Sequence, residues 1–440
     1  DQAVGLYPSG NSFGSISSTE FYGELLVPVL KDSFVQEFNV ELGARYSDYS
    51  TTGGEWTFKA LGDLQVNDWL RFRGGFNRAV RAPNIAELFL APQQTFAFSG
   101  GGDPCSINNT LPWSANPASN TNAAGVKALC TAIMNQFDTG AQNTADRFYG
   151  NAAAQTSGFT FAFPSLLGNP NVGPEQADTW TAGMVINSPL TSGPLSGLRL
   201  TVDYYNIKVS NAIGAQSIDV VHQQCFSTEY NPTLSISSPF CAGVARVTGD
   251  GAIGNVKGTF LNNGRFRTSG IDLQLDWSMD VGPGTLSLNS VSNYLIGLKS
   301  SELPGNPLLE YAGTFGPQGN GLSRGSYRYR MLNTLSYAVG GANVSFGWRH
   351  LPSIKSVSYA QNPATTSVGA KSYNLFNLNG TYELTSNVTV RAGVDNLFDQ
   401  APPLEEQNLG LPSFLLPGGS YSNQYDLYGR RLYVGVNMAF

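Results

Sequence analysis

The sequence predicts an all-β protein, a transmembrane antiparallel β-barrel with long extracellular loops, and three observations carry that reading. Segments of roughly ten residues alternate apolar and polar side chains, the period of a strand with two unlike faces. Charged residues are only 13% of the 440 residues, while glycine (50), phenylalanine (25) and tyrosine (20) are abundant. No apolar run approaches the ~18 residues that a spanning helix requires. A membrane barrel reconciles all three, because each strand turns apolar residues to lipid and polar ones to the lumen.

Thirteen such segments follow one another near 20–30, 37–46, 55–66, 69–80, 175–187, 198–209, 266–278, 285–298, 326–339, 342–349, 372–384, 387–396 and 429–440. In 37–46, Phe38, Val40, Leu42, Ala44 and Tyr46 alternate with Glu37, Asn39, Glu41, Gly43 and Arg45. Ala342, Val344, Phe346 and Trp348 repeat the pattern, as do Val388, Val390, Ala392 and Val394. These runs exceed the roughly five or six residues usual in soluble sheets. Their connections alternate between short (31–36, 66–69, 340–341, 384–387) and long (84–172, 210–264, 299–323, 398–427). Tight periplasmic turns and long extracellular loops have that asymmetry. In the last segment Leu432, Val434, Val436, Met438 and Phe440 share one face. The terminal aromatic Phe440 resembles the assembly signal read by the outer-membrane insertion machinery.

Composition narrows the function classes. A net charge of −6 without a basic run disfavours nucleic acid as a partner. The two histidines, His222 and His350, have no nucleophile motif beside them, so no catalytic set, metal site or cofactor is expected and the chain does not read as an enzyme. The four cysteines fall into local pairs, Cys105/Cys130 and Cys225/Cys241, without zinc or redox spacing. Two extracellular disulfides in an oxidising compartment are expected.

The loops carry their own patterns. Val126, Leu129, Cys130, Ile133, Met134 and Phe137 are spaced for one face of a helix, and Ile218, Val221 and Cys225 for a second, shorter one. A Cys105–Cys130 bridge pins the first, contributing roughly 3 kcal/mol in the chain-entropy account. The alternating aromatics Phe96/Phe98 and Phe159/Phe161/Phe163 suit a β-hairpin within the loop or a ligand-stacking platform, and Phe414, Tyr421 and Tyr425 are similar ligand-facing candidates. On the lumen side, Arg45, Arg71, Arg73, Arg391 and Arg431 with Glu37, Glu41, Asp272 and Asp276 are expected to form charge-paired ladders of wall structure. Arg78, Arg81 and Glu87, beside Pro83, either contact a plug or shape the wall where a strand runs into a loop.

Four ordered motifs give a resemblance. Arg71-Phe-Arg-Gly-Gly-Phe-Asn-Arg-Ala-Val-Arg-Ala-Pro-Asn-Ile-Ala-Glu-Leu-Phe89 ends a strand in an Arg-Ala-Pro-x-x-x-Glu-Leu-Phe passage. Asn169-Pro-Asn-Val-Gly-Pro-Glu175, Arg267-Thr-Ser-Gly-Ile-Asp272 and Val394-Asp-Asn-Leu-Phe-Asp399 follow in order. Together they resemble TonB-dependent outer-membrane transporters, over essentially all of residues 20–440. The resemblance implies a barrel of about 22 strands, an N-terminal plug, energy coupling through the TonB complex and import of a scarce nutrient: a siderophore, carbohydrate, vitamin or peptide. A passive porin and a surface adhesin or receptor are the alternatives.

Parity sharpens the picture. With Phe440 periplasmic, thirteen antiparallel crossings start the segment 20–30 on the outside and put 1–19 in an extracellular loop. Closing the first strand on the last makes a parallel seam, and a bare edge in lipid leaves backbone groups unpaired. Residues 20–440 therefore read as the C-terminal part of a barrel whose first strands and plug lie outside this chain, in the same protein or a second one.

Overall fold

The computed structural model describes residues 9–139, 142–158, 160–301, 303, 306–317, 325–366, 368–403 and 424–439. Its frame is a single antiparallel ladder. The strands are β1 (Ser18–Lys31), β2 (Glu37–Tyr49), β3 (Gly53–Asn67), β4 (Leu70–Arg81), β5 (Glu175–Asn187), β6 (Arg199–Ala215) and β7 (Lys257–Val281). They continue as β8 (Gly284–Ser301), β9 (Tyr329–Val339), β10 (Ala342–Leu351), β11 (Tyr373–Thr385), β12 (Val388–Asp395) and β13 (Arg431–Met438). Each pairs with its neighbours in sequence order, and short loop strands bring the sheet to 16. The thirteen segments expected from alternation are thus the thirteen strands of the ladder. β1 and β13 stand at its two ends, with no pairing between them among the described residues.

Register shows why the sequence adopts this form. Val40, Gly62, Gly74, Ala182, Tyr204, Ile271 and Tyr294 lie in one row across β2 to β8. Phe346, Leu378, Val394 and Leu432 form another across β10 to β13. A one-residue slip would reverse both faces of a strand, so the two-faced pattern itself fixes the pairing. The apolar face is left open: Leu432 and Val434 are 78% and 77% exposed, and Phe21, Trp56 and Trp180 are exposed too. In water such a surface is an aggregation hazard, whereas in hydrocarbon it is the contact surface.

Tight turns join strands at one end and long segments join them at the other. Gly282 and Gly340 take φ of +60° and +56° in two of the tight turns, a region that Cβ-bearing residues avoid. One connection on the long-loop side is also tight, the turn between β2 and β3, which Gly53 leaves at φ +77°. Three strands run farther toward the loops than alternation indicates, β6 to Ala215, β7 from Lys257 and β8 to Ser301. Asn211, Gly214, Asn262 and Gly264 interrupt the apolar period there, and the β6–β7 register shifts twice beyond Val209. Asn262 instead donates to the carbonyls of Gly173 and Asn211 at 2.8 and 3.0 Å, holding the extension by side-chain bonds.

The largest buried core is not in the sheet. It lies between the two longest loops, where Val126, Leu129, Ile133, Met134 and Phe148 from the first pack with Ile218, Val221, Phe226, Val244 and Val256 from the second. The two loops, which the sequence presents as separate units, fold into one cap.

Candidate functional site

Four α-helices stand in the two loops that form the cap, among the described residues. α1 (Ile85–Phe89) starts the first loop, α2 (Ala123–Asn135) carries the expected apolar face, and α3 (Thr144–Gly150) follows it. α4 (Ile218–Phe226), the expected second helix, is capped by Ser217, whose hydroxyl accepts from the Val220 N–H at 3.3 Å. Disulfides join Cys105 to Cys130 and Cys225 to Cys241, with Cα separations of 5.7 and 4.6 Å, in the expected pairing. Among the polar ties that run between the loops, two reach into the packed core. The Ser99 hydroxyl donates to Asp219 on α4, and the Arg246 guanidinium donates to both oxygens of Asp103 at 2.6 and 2.7 Å. Arg246 also reaches Cys105 Sγ at 2.8 Å, so the ion pair and the first disulfide share a site.

His222 on α4 is fully buried beside this cluster, and neither ring nitrogen has a hydrogen-bond partner among the described residues. Burial pushes its pKa down to about 3, with Arg246 adding to the effect and Asp103 opposing it. It is a neutral core side chain rather than a proton donor or ligand.

At the surface of the cap, Ala97–Ser99 pairs antiparallel with Thr160–Ala162, placing Phe98 opposite Phe161. The two aromatic segments are thus a β-ladder, as their alternation suggests. Ala162 and Ser99 point into the core, while Phe96, Phe161 and Phe163 remain 39%, 44% and 45% exposed. The ring of Phe96 lies 5.3 Å from that of Phe161 and 5.8 Å from that of Phe163. Strand pairing sets the spacing, and the outward face is aromatic.

Where β4 runs into the cap, two of the sequence motifs meet. Asn84 and Glu87 form a reciprocal capping box on α1. Arg81 then donates to both oxygens of Glu87 at 2.9 and 3.0 Å and, through Nε, to Glu175 at 2.5 Å. The Asn169 N–H donates to the Glu87 carbonyl at 2.8 Å. A Cβ on Gly168 would fall 2.4 Å from the Leu90 nitrogen, so only glycine permits this approach of the two passages. Arg81 and Glu87 shape the strand-to-loop junction on the polar face. Arg78 behaves differently: it shares the apolar face with Phe72 and Phe76 and pairs with Asp178 at 2.7 and 2.8 Å.

The polar face carries charge pairs, though with different partners from those expected in places. Arg45 pairs with Glu20 at 2.9 Å, Lys59 with Glu24 and Glu41, Arg71 with Asp63, and Arg73 with Asp203 at 2.6 Å. Arg431 pairs with Asp395 and Asp426. Asp272 and Asp276 accept instead from Asn293 and Asn289, and Arg391 has no ion-pair partner among the described residues. Glu37 accepts from Asn39. The Arg73–Asp203 pair bridges β4 and β6 across β5, where Gly183 leaves room between them, which single-strand patterns do not reveal.

Tyr425 departs from its expected ligand-facing role. It is 4% exposed, its hydroxyl lies 2.7 Å from that of Tyr327, and its ring packs edge-on against Tyr373 at 5.1 Å. It ties the last loop to the base of β11. Phe159, Phe414, Tyr421, Phe440 and the side chain of Phe98 lie outside the described residues.

The family model for the TonB dependent receptor-like β-barrel matches residues 1–397. No curated protein matches the chain. Among solved structures, the ferric enterobactin receptor PfeA of Pseudomonas aeruginosa in complex with BCV-L6 is similar at 16% identity and a TM-score of 0.57, over 97% of this chain and 46% of that one. The siderophore receptor PirA of Acinetobacter baumannii is similar at 17% identity and 0.54, again over 97% and 46%. The FrpB iron transporter of Neisseria meningitidis is similar at 12% identity and 0.50, over 98% and 46%. At such identities the likeness establishes the fold, and the chain spans under half the length of these receptors.

Proposed function

The chain belongs to the TonB dependent receptor-like β-barrel family, and we propose that it supplies much of the wall and the ligand-capturing cap of an energised importer in the Gram-negative outer membrane. The family is one of receptors and transporters, not enzymes. The observation that carries the proposal is a two-faced thirteen-strand ladder, apolar on one face and charge-paired on the other, crowned at one end by a disulfide-pinned cap.

On this reading the cap is extracellular, the tight turns and the end of β13 are periplasmic, and outer-membrane lipid covers the apolar face. The free edges of β1 and β13 pair with further strands, and a plug fills the lumen and couples to TonB. The length of the solved relatives supports that arrangement, since this chain covers 45–46% of PfeA and PirA. Among scarce nutrients, a ferric siderophore is the first ligand to test, because the similar structures are named as receptors of siderophores. Arg81, Glu87 and Glu175 lock the wall to the cap, and the exposed rings of Phe96, Phe161 and Phe163 offer a stacking surface for an aromatic or planar ligand.

Uptake of iron-loaded catecholate and hydroxamate siderophores by cells carrying the full-length protein tests the proposal. Accumulation is expected to require the protein and to stop when a protonophore collapses the proton gradient. Accumulation that continues without the gradient identifies a diffusion pore instead.

A further inference from the structure

The charge pairing of the two faces differs at one place. On the polar face of β2 to β6, Arg45, Lys59, Arg71 and Arg73 each meet a carboxylate. On the apolar face, Lys208 of β6 stands opposite Arg267 of β7, and Arg267 stands opposite Lys299 of β8. All three are exposed, and no ion pair joins any of them to a carboxylate among the described residues. Like charges directly opposite one another on adjacent strands destabilise a sheet.

The surrounding acids neutralise the row only in part. Asp178 lies opposite Lys208 but is held by both nitrogens of the Arg78 fork at 2.7 and 2.8 Å. Glu310, in register with Lys299, accepts from the backbone N–H groups of Leu298 and Ala312, both at 2.9 Å. The cations border a surface depression of about 380 Å³, where Asn206 and Ser269, on the same face as Lys208 and Arg267, bring further hydrogen-bonding side chains.

Position supplies the second half of the argument. Tyr204, Ile271 and Tyr294 form one register row on the same face, with Val202 and Leu273 below them. From Tyr204 to Lys208 and from Ile271 to Arg267 is four residues along each strand, about 13 Å. Interfacial aromatics sit at the headgroup boundary of a bilayer. A cation row one short step beyond them, on the wall that lipid touches, stands at the depth of lipid phosphates.

We propose that Lys208, Arg267 and Lys299 form a binding site for the phosphorylated headgroup of an outer-leaflet glycolipid. The assignment of leaflet rests on the reading that the cap is extracellular. Three cations about 5 Å apart from strand to strand match the spread of a phosphorylated sugar headgroup. Asn206 and Ser269 offer hydrogen bonds to its remaining oxygens. Charge-assisted bonds to phosphate remove the repulsion that the row otherwise carries.

The test uses the full-length protein purified from outer membranes in mild detergent, with co-purifying lipid identified by native mass spectrometry. Bis-phosphorylated lipid A and its dephosphorylated form, added back to delipidated protein, serve as probes. The wild type is expected to retain the phosphorylated probe and not the dephosphorylated one. The Lys208→Gln/Arg267→Gln/Lys299→Gln variant is expected to lose affinity by on the order of a hundredfold, about fivefold per cation. The Lys208→Arg/Lys299→Arg variant keeps the charge and is expected to bind as the wild type does. A heat-modifiable band on gels confirms that each variant is folded. Equal retention by the wild type and the glutamine variant overturns the proposal. So does a charge-sensitive bound lipid that proves to be a glycerophospholipid, since that puts the row in the other leaflet. Energised uptake, measured in the same cells, reports separately on the import reading.

Discussion

Arg246 and Asp103, 143 residues apart in sequence, form a buried, doubly hydrogen-bonded ion pair that joins the two longest loops. Their side chains are 1% and 7% exposed. The pair ties the first disulfide to the turn that precedes β7, and it adds a buried polar link to the apolar core that the two loops share. Removing one partner leaves an uncompensated charge in a dry site, at a cost of about 3–5 kcal/mol. Asp103→Ala is therefore expected to loosen both loops together, read as faster amide hydrogen exchange across α2 and α4. Arg246→Met with Asp103→Leu removes both charges and is expected to recover most of the protection. Loosening confined to one loop would show that the cap is not a single unit.

The Cys105–Cys130 bridge spans 25 residues of sequence and closes the segment that carries α2. Losing such a bridge costs roughly 3 kcal/mol, mostly through the freedom gained by the unfolded segment. Cys105→Ser with Cys130→Ser is expected to make residues 105–130 sensitive to limited proteolysis while the heat-modifiable barrel band is unchanged. The Cys225–Cys241 bridge spans 16 residues, and its loss is expected to have a somewhat smaller effect.

His222 gives the cap a pH dependence of definite sign. Unfolded, it takes up a proton near pH 6.5; buried among α4 and the Arg246 cluster, it does so only near 3. Between those values the unfolded segment binds the extra proton, so cap stability is full above about pH 6.5 and declines as pH falls toward 3. Hydrogen exchange of α4 amides from pH 7 to pH 4, corrected for intrinsic rates, is expected to show protection falling with pH. His222→Leu is expected to flatten that dependence, and an unchanged slope in the variant would assign it to other groups.

Much of the frame was legible because a sheet with lipid on one side and a polar lumen on the other writes its period into every strand. Leu432, Val434 and Val436 declare their face without help from tertiary context. The ends of β6 and β7 on the loop side were less legible, since Asn262 holds them through side-chain bonds to the Gly173 and Asn211 carbonyls and Gly264 adds no side chain to an apolar period. The disulfides followed from local spacing, and both loop helices from their apolar faces. The union of the loops did not, because nothing near Asp103 or Arg246 marks the other as its partner. Tyr425 was misread for a related reason: an aromatic in a polar loop looks available until Tyr327 and Tyr373 are seen to enclose it. The cation row is spread over three strands, where it becomes visible only once register is known.

The aromatic surface of the cap is open to a direct test. Phe96, Phe161 and Phe163 keep their rings within 6 Å of a neighbour, on the outward side of a ladder whose inward residues are Ala162 and Ser99. Phe161→Ala with Phe163→Ala leaves the ladder's backbone bonds in place and removes the rings. Base- or ring-stacking contacts of this kind contribute about 1 kcal/mol each. Binding of iron-loaded catecholate siderophores is expected to weaken about thirtyfold, with cap protection unchanged. Equal affinity in the variant assigns the rings to packing alone.

The edge of β13 offers the sharpest check on how the ladder is completed. The Ala439 N–H donates to the Asn387 carbonyl at 2.9 Å, so odd-numbered residues of β13 turn their backbone groups toward β12. In an antiparallel ladder the direction alternates residue by residue. The N–H groups of Leu432, Val434 and Val436 therefore face the free edge. In hydrocarbon each unpaired group costs several kcal/mol, so a stable protein must give them partners from a strand beyond β13. Proline removes a single N–H and is tolerated on a true edge but not in a paired interior strand. Val434→Pro in the full-length protein is expected to abolish the heat-modifiable folded band, while Val434→Ala, which keeps the N–H, is expected to fold. Normal folding of the proline variant would mean that β13 ends the sheet, and with it the reading of this chain as part of a larger closed barrel would fall.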